Sequence, residues 1–392
     1  MSKFLGTLIR RERLRQNISL EGLCQGICAI SYLSKIEQGK AEAAPDILQP
    51  LLARLKLQYE TDPVFLAQAR EAVDHLYETL LAGMNWNQDP ANRRKDPFDG
   101  QRERFLASPC MLDVLLLESV FLRRPPAPEL EEFASCMSCR QYELYLLLQL
   151  WNGRWEAGQE LLRLNPCPYF TCQVGIRCYR EARYLEAIEL LNRAYDLASR
   201  EGYIYLMCSS RIFLGFCCSD SGKVDLMLDH FRVVRRLVQT LRDGEQWLSD
   251  LNYNAATTYL ECNRAEEALQ VLKEVKQEDA LYFHKLAVAL EKLGRKEEAL
   301  QAVAKSRTAD PRGFSQEVLN GALDLVEYRL RHPDYLRDGI YSTLMSDTFA
   351  MLRRDASSGF VRFHLPYMLE VLEADRRYKD AYRLSSEFSR TL

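Results

Sequence analysis

Five histidines, His75, His230, His284, His332 and His364, are dispersed along 392 residues, and none forms a close His/Cys pair or the two-histidine spacing of a metalloprotease helix. The one close cysteine pair, Cys136 and Cys139 in "CMSC", has the spacing of half a zinc site. A zinc ion needs about four ligands, and no second pair follows to complete the set. Paired carboxylates at Glu266/Glu267 and Glu297/Glu298 fall on amphipathic stretches, where a solvated helix face accounts for them. Glycine-rich phosphate loops and nucleophile elbows are absent. No catalytic residue, metal site or cofactor is assigned, and the chain is not read as an enzyme. The side chains that can do chemistry are of a different kind: donors, acceptors and cations suited to holding another molecule.

One such group is the stretch "GICAISYLSKIEQGK", residues 26–40. Leu23, Ile27, Leu33 and Ile36 have the spacing of a small helical core, with Cys24 as the small residue where two helices cross. A helix over 29–37 then turns Ile30, Ser31, Tyr32, Ser34 and Lys35 outward. Such a helix fits the ~12 Å major groove of duplex DNA. Ser31 and Lys35 are candidates for base edges, Ile30 for a thymine methyl, and Lys3, Arg10, Arg11 and Lys40 for phosphates.

The elements that must position these residues are all helical. Ten- to sixteen-residue segments with apolar side chains three and four apart recur throughout, and no hairpin signal appears. A first helix over 3–16 carries Phe4, Leu5, Leu8, Ile9 and Leu14 on one face. Ser19 is a natural N-cap for a short second helix, Gly39 a natural stop for the third, and Pro45 a good first residue for a fourth. A longer helix over 63–81 leads into a polar, Pro/Asn/Asp/Arg-rich segment over 83–104, read as a linker.

Beyond it the strongest signal is internal repetition. Residues 283–311 align with 252–280 at a shift of 31, matching Ala287 with Ala256 and Ala299 with Ala268. Residues 171–199 fit the same frame with Gly175, Ala187 and Ala194 at the small positions. A looser copy spans 208–241 around Gly215, and weaker ones span 138–166 and 362–392. Each copy is a helix, a turn and a helix. This resembles the tetratricopeptide repeat, whose ~34-residue units stack into a right-handed superhelix with a concave face for extended peptides.

The N-terminal stretch "LGTLIRRERLRQNISLEGL" followed by "SYLSKIEQGK" resembles the Xre/phage-repressor family of helix-turn-helix domains over residues 4–57. The resemblance implies a structural ion pair between Arg13 and Glu37. Two departures stand out: Leu20 replaces the family's usual glutamine at the start of helix two, and the turn "QGICA" is about one residue short. A short turn joined to tetratricopeptide repeats is similar to the RRNPP family of peptide-pheromone regulators. That likeness implies three segments: an Xre-type helix-turn-helix domain over 1–65, a linker over 66–110, and a repeat domain over 111–392 for peptide binding and dimerisation. It also implies an asparagine on an inward helix holding the peptide backbone, for which Asn254 is the match. Counting first helices in the repeat frame, the inward set includes Gln173, Tyr179, Phe213, Phe216, Tyr253, Thr257, His284 and Lys285, with Arg211 or Lys285 as the partner of a carboxylate.

Composition agrees with a DNA-binding head on an acidic body. The chain has a net charge of −3, while residues 1–60 carry nine Lys/Arg against six Asp/Glu. The twelve cysteines are scattered, many at apolar helical positions, and read as reduced core thiols. No signal peptide is apparent, and no window approaches the ~18–20 apolar residues of a membrane span, so a cytoplasmic location is expected. The resulting expectation is a dimeric regulator of a palindromic operator in double-stranded DNA, controlled by a short signalling peptide. The rivals are a repeat scaffold that sequesters a protein partner, and an Xre-type repressor that needs no peptide.

Overall fold

A computed structural model describes residues 2–83, 98, 100–311, 314–356 and 358–389; most of the polar segment 83–104 lies outside them. The chain is all-α, with no strand among the described residues. It divides into two compact units, Met1–Val174 and Gly175–Leu392.

The first unit opens with α1 (Ser2–Arg15), α2 (Leu20–Cys24), α3 (Ile30–Glu37) and α4 (Pro45–Arg54). Ser19 caps α2, its Oγ accepting from the Gly22 N–H at 3.0 Å, and Pro45 begins α4 where its missing N–H is not needed. Ile9, Leu23, Cys24, Leu33, Ile36, Leu51, Leu52 and Leu55 close a small core between these helices. Gly6 permits that closure: a Cβ there would lie 2.0 Å from the Ile36 carbonyl oxygen, so only glycine lets α1 approach α3. Leu14, read from the sequence as part of the apolar face, is instead 54% exposed, because α1 outruns the core it packs on.

Then come α5 (Pro63–Leu81), capped by Asp62, α6 (Arg102–Leu106), α7 (Met111–Phe121) and the one-turn α8 (Leu130–Phe133). α7 is buried on nearly every side. α8 docks on α1 through Phe133, whose ring centroid is 5.7 Å from that of Phe4. Next, α9 (Cys139–Trp151) and α10 (Trp155–Leu164) form a helix pair with Gly158 beneath Leu150. The division between the units falls inside α11 (Pro168–Arg180).

In the second unit the chain runs through α12 (Tyr184–Glu201), α13 (Ile204–Asp220), α14 (Val224–Leu237), α15 (Gly244–Glu261), α16 (Ala265–Leu272), α17 (Ala280–Lys292) and α18 (Lys296–Thr308). It ends with α19 (Gln316–Arg331), α20 (Gly339–Asp355), α21 (Ser358–Ala374) and α22 (Tyr378–Ser389). These stack as tetratricopeptide-like helix pairs. The small residues of the repeat frame lie at the crossings: Ala187, Ala194, Ala256, Ala268, Ala287 and Ala299 are fully buried. A Cβ on Gly175 would stand 3.0 Å from Leu191 Cγ, and one on Gly215 would stand 2.7 Å from Phe231 Cε1. Most pairs turn the same way, through one left-handed residue two places before the second helix: Ala182, Gly222, Asn263, Gly294 and Arg376, with φ from 57° to 72°.

Two arginines tie distant helices of this unit together. Arg329 makes a two-pronged pair with Glu291 at 2.6 and 2.7 Å and also donates to the Tyr341 hydroxyl at 3.0 Å. Arg362 on α21 reaches back to the first pairs. It donates to the Tyr184 hydroxyl at 3.1 Å and the Asp220 carbonyl at 2.9 Å, and pairs with the Asp220 carboxylate at 3.4 Å.

Candidate functional site

An open cleft of about 360 Å³ lies within the second unit. The C-terminal end of α11 and helices α13, α15 and α17 supply its walls, and Phe314 and the start of α21 supply the rest. Tyr179, Phe216, Tyr253, Phe314 and Phe360 make it largely aromatic. The rings brace one another: Tyr179 lies 5.5 Å from Phe213 and 5.9 Å from Phe216, and Phe314 lies 5.2 Å from Phe360. Such rigid walls offer apolar contact at small entropic cost.

The polar groups are few and placed along α15. Asn254 lines the cleft and donates through Nδ2 to the Asp250 carbonyl at 2.8 Å, one turn back on its own helix. Thr257 likewise donates to the Tyr253 carbonyl, which leaves its hydroxyl lone pairs as acceptors, while the buried Thr258 donates to the Asn254 carbonyl and meets the Ser219 hydroxyl at 2.7 Å. Asp220 closes one end, held by Arg362 and by the Tyr184 hydroxyl at 2.8 Å. Burial raises its carboxyl above the usual range, and the Arg362 charge opposes that rise.

Arg180 and Ser219 also line the cleft, and Glu261 and Lys285 complete its polar wall. Lys285, on α17, is 1% exposed, and among the described residues its Nζ has no hydrogen-bond partner; it stands 2.8 Å from the centroid of the Phe363 ring. Burial drives its pKa well below that of a free lysine, and the neighbouring Glu261 charge only partly restores it. Glu261, the last residue of α15, is solvent-exposed and lines the cleft. Loss of bulk hydration pushes its carboxyl up to about 6, against the pull of Lys285. Among the described residues Glu261 accepts no hydrogen bond.

The structure brings together six of the inward residues read from the repeats: Tyr179, Phe216, Tyr253, Asn254, Thr257 and Lys285 all line this cleft. The others lie elsewhere. His284 is fully buried among Phe360, Phe363 and His364, its two ring nitrogens without hydrogen-bond partners among the described residues, because α17 is packed on both faces. Arg211 lies 4.0 Å over the Tyr195 ring and 3.3 Å from His230 Nδ1, away from the cleft. Phe213 backs Tyr179 without lining the space, and Gln173 is half-buried on α11. The sequence reading missed Glu261, which ends its helix one turn beyond the counted positions, and Phe360, which comes from outside the clear repeats.

A second candidate surface is the outer side of α3. Ile30, Ser31 and Lys35 are exposed there, while Tyr32 and Ser34 are half-exposed. The Tyr32 hydroxyl donates to the Glu42 carbonyl at 2.7 Å, and Ser34 Oγ accepts from Gln38 Nε2 at 3.1 Å. Arg13 fixes the helix from within: Nε and Nη2 donate to the Glu37 carboxylate at 2.7 and 2.8 Å, and Nη1 donates to the Ile18 carbonyl at 2.9 Å. The pairing raises the guanidinium pKa further. Arg54, unremarked in the sequence, locks the turn before α3: its Nη1 donates to the Gln25 and Leu23 carbonyls at 2.6 and 2.8 Å. Arg10 and Lys40 are exposed. Arg11 is already engaged with Glu132 at 3.3 Å and Glu129 at 3.9 Å, and Lys3 donates to the Ser135 carbonyl. No described helix is long and apolar enough to cross a membrane, and no described cluster could hold a metal ion.

No protein-family model and no curated protein matches the chain. Among solved structures, the apo form of the quorum sensor NprR from B. thuringiensis is similar over 83% of this chain and 99% of that one, with a TM-score of 0.57 and 14% identity. Bacillus thuringiensis PlcR in complex with the peptide PapR7 and DNA covers 78% of this chain and 93% of its own, with a TM-score of 0.32 and 17% identity. The NprR likeness is one of fold; the PlcR likeness is too distant to carry an argument.

Proposed function

We propose that this chain is a transcription regulator that binds a palindromic operator as a homodimer, and that a short signalling peptide in the cleft of its second unit alters operator affinity. The observation that carries this reading is the cleft, whose aromatic walls and α15 amide and hydroxyl suit an extended peptide: rings for side chains, Asn254 and Thr257 for backbone groups. Sharing its fold with a protein described as a quorum sensor makes a peptide signal the first ligand to try. The outward residues of α3 supply the DNA-reading side, with Ser31 and Lys35 for base edges and Arg10 and Lys40 for phosphates.

Two such helices must stand ~34 Å apart to read successive major grooves of a two-fold site. A peptide that prefers one arrangement of the repeats shifts operator affinity by its differential binding to the two arrangements. The test is selection of genomic fragments by the purified protein, with and without peptide extract from the culture that makes it. Enrichment of a palindromic site whose recovery changes with peptide is the expected result, and Lys35→Ala should lose that enrichment while melting like the wild type. A protein partner recovered in place of DNA would favour the scaffold, and enrichment indifferent to peptide the peptide-independent repressor.

A further inference from the structure

Arg211 falls outside the cleft, and what surrounds it there leaves its charge unanswered. It leaves α13 between two neighbours, its guanidinium carbon 4.0 Å over the Tyr195 ring of α12 and its Nη1 3.3 Å from His230 Nδ1 of α14. Every other described arginine that is buried or half-buried pairs with a carboxylate. Half-buried Arg211 has no such pair among the described residues, only an imidazole and an aromatic face. A cation drawn partly out of water without a counter-charge is costly, so this exception calls for an anion from outside the chain.

The donors sort themselves by geometry. A guanidinium only donates, so His230 Nδ1 accepts and the ring proton sits on Nε2. Arg211 Nε is sealed without a partner and lends charge alone. Arg211 Nη2 and His230 Nε2 are neither sealed nor bonded among the described residues, so both face solvent. The two groups are already joined through the 3.3 Å contact, close enough for one anion to meet both. Burial first, and then the Arg211 charge, lowers the His230 pKa, which keeps the ring a neutral N–H donor. The adjacent Asp229 is held by Arg232 at 2.6 Å. We propose that Arg211 and His230 form an oxyanion site apart from the cleft, with one carboxylate or phosphate oxygen on Arg211 Nη2 and a second on His230 Nε2. The Tyr195 face fixes the guanidinium plane and consumes none of its N–H groups, the arrangement that suits a forked oxyanion. A cation is repelled by Arg211, and an uncharged ligand leaves it unmatched. The site does not depend on what the cleft binds.

The test titrates the full-length protein with inorganic phosphate at pH 7.5, chloride holding the ionic strength constant, and follows the width of the phosphorus resonance. Saturable broadening is expected. Arg211→Gln should weaken phosphate binding about tenfold or more, as loss of a charge-assisted hydrogen bond implies. Arg211→Lys should fall between that variant and the wild type, since a point charge replaces the fork, and His230→Phe should weaken binding less than Arg211→Gln. Arg337→Gln, at an exposed arginine between α19 and α20, should change nothing. Acetate and sulfate then compete with the phosphate: displacement by both assigns the site to carboxylates as well as phosphates, and displacement by sulfate alone assigns it to tetrahedral oxyanions. Should Arg211→Gln fold poorly, Arg211→Lys and His230→Phe carry the same comparison. No saturable broadening, or broadening unchanged in the Arg211 and His230 variants, would overturn the site and leave the reading of the cleft as it stands.

Discussion

Arg13 and Glu37 show what a single pair can decide. Both side chains are less than a tenth exposed and their geometry is two-pronged, so removing either strands the other's charge in the core. Glu37→Ala should cost ~3–5 kcal/mol, read as a lower melting point of the first unit; unchanged melting would show that the pair does not hold α3. The buried histidines bear on pH. His364 is pushed down to about 3 and His284 well below its usual value, in both cases first by burial and then by the Lys285 charge. Below pH 6.5 the unfolded chain takes protons that these two imidazoles refuse, so stability falls as pH drops from 6.5 toward 3. Glu261, which gains its proton between about 6 and the ordinary 4.5, and Asp220, also raised by burial, act in the opposite sense, while Lys285, held well below a free lysine, acts with the histidines. The wild type should melt lower at pH 5 than at pH 7.5, and His284→Phe should narrow the difference; equal narrowing by a surface histidine change such as His75→Phe would refute the assignment.

At the level of elements, close approach is written in small side chains. Gly215→Ala should destabilise the second unit by about 1–2 kcal/mol despite alanine's better helix propensity, because the new methyl meets the buried Phe231 ring at 2.7 Å. Urea unfolding of the variant checks this, and a gain in stability would mean the two helices can part without loss. The same small residues made the repeats legible in the sequence, and Ser19, Pro45 and Asp62 mark helix starts that follow from capping chemistry alone. The turns were harder to read. Gly222, Gly294 and, less strongly, Asn263 announce left-handed backbone, whereas Ala182 and Arg376 adopt it with side chains that give no such signal, so the surrounding packing must impose it. The cleft was half legible for a related reason. Residues on the first helices of the repeats could be counted inward, giving Tyr179, Phe216, Tyr253, Asn254, Thr257 and Lys285. His284, next in sequence to Lys285, points into the core, and Phe360 arrives from a helix with no periodic tie to the others.

On the scale of the whole chain, the two units carry the two proposed tasks, DNA reading in the first and ligand capture in the second. The second is more than a row of modules. In an ordinary repeat array each module touches only its neighbours, so ends fray independently and unfolding spreads piece by piece. Here Arg362 fastens α21 to Tyr184 and Asp220, 178 and 142 residues earlier in the chain. Hydrogen exchange should find α21 and α13 opening together in the wild type, with α21 opening first once Arg362→Ala cuts the tie. Independent opening of the two helices in the wild type would show the bridge to be thermodynamically idle. If it holds, the unit behaves as a loop whose last link bears on its first: anything that tightens the cleft steadies both ends at once, and melting becomes a single event rather than a sequence of them.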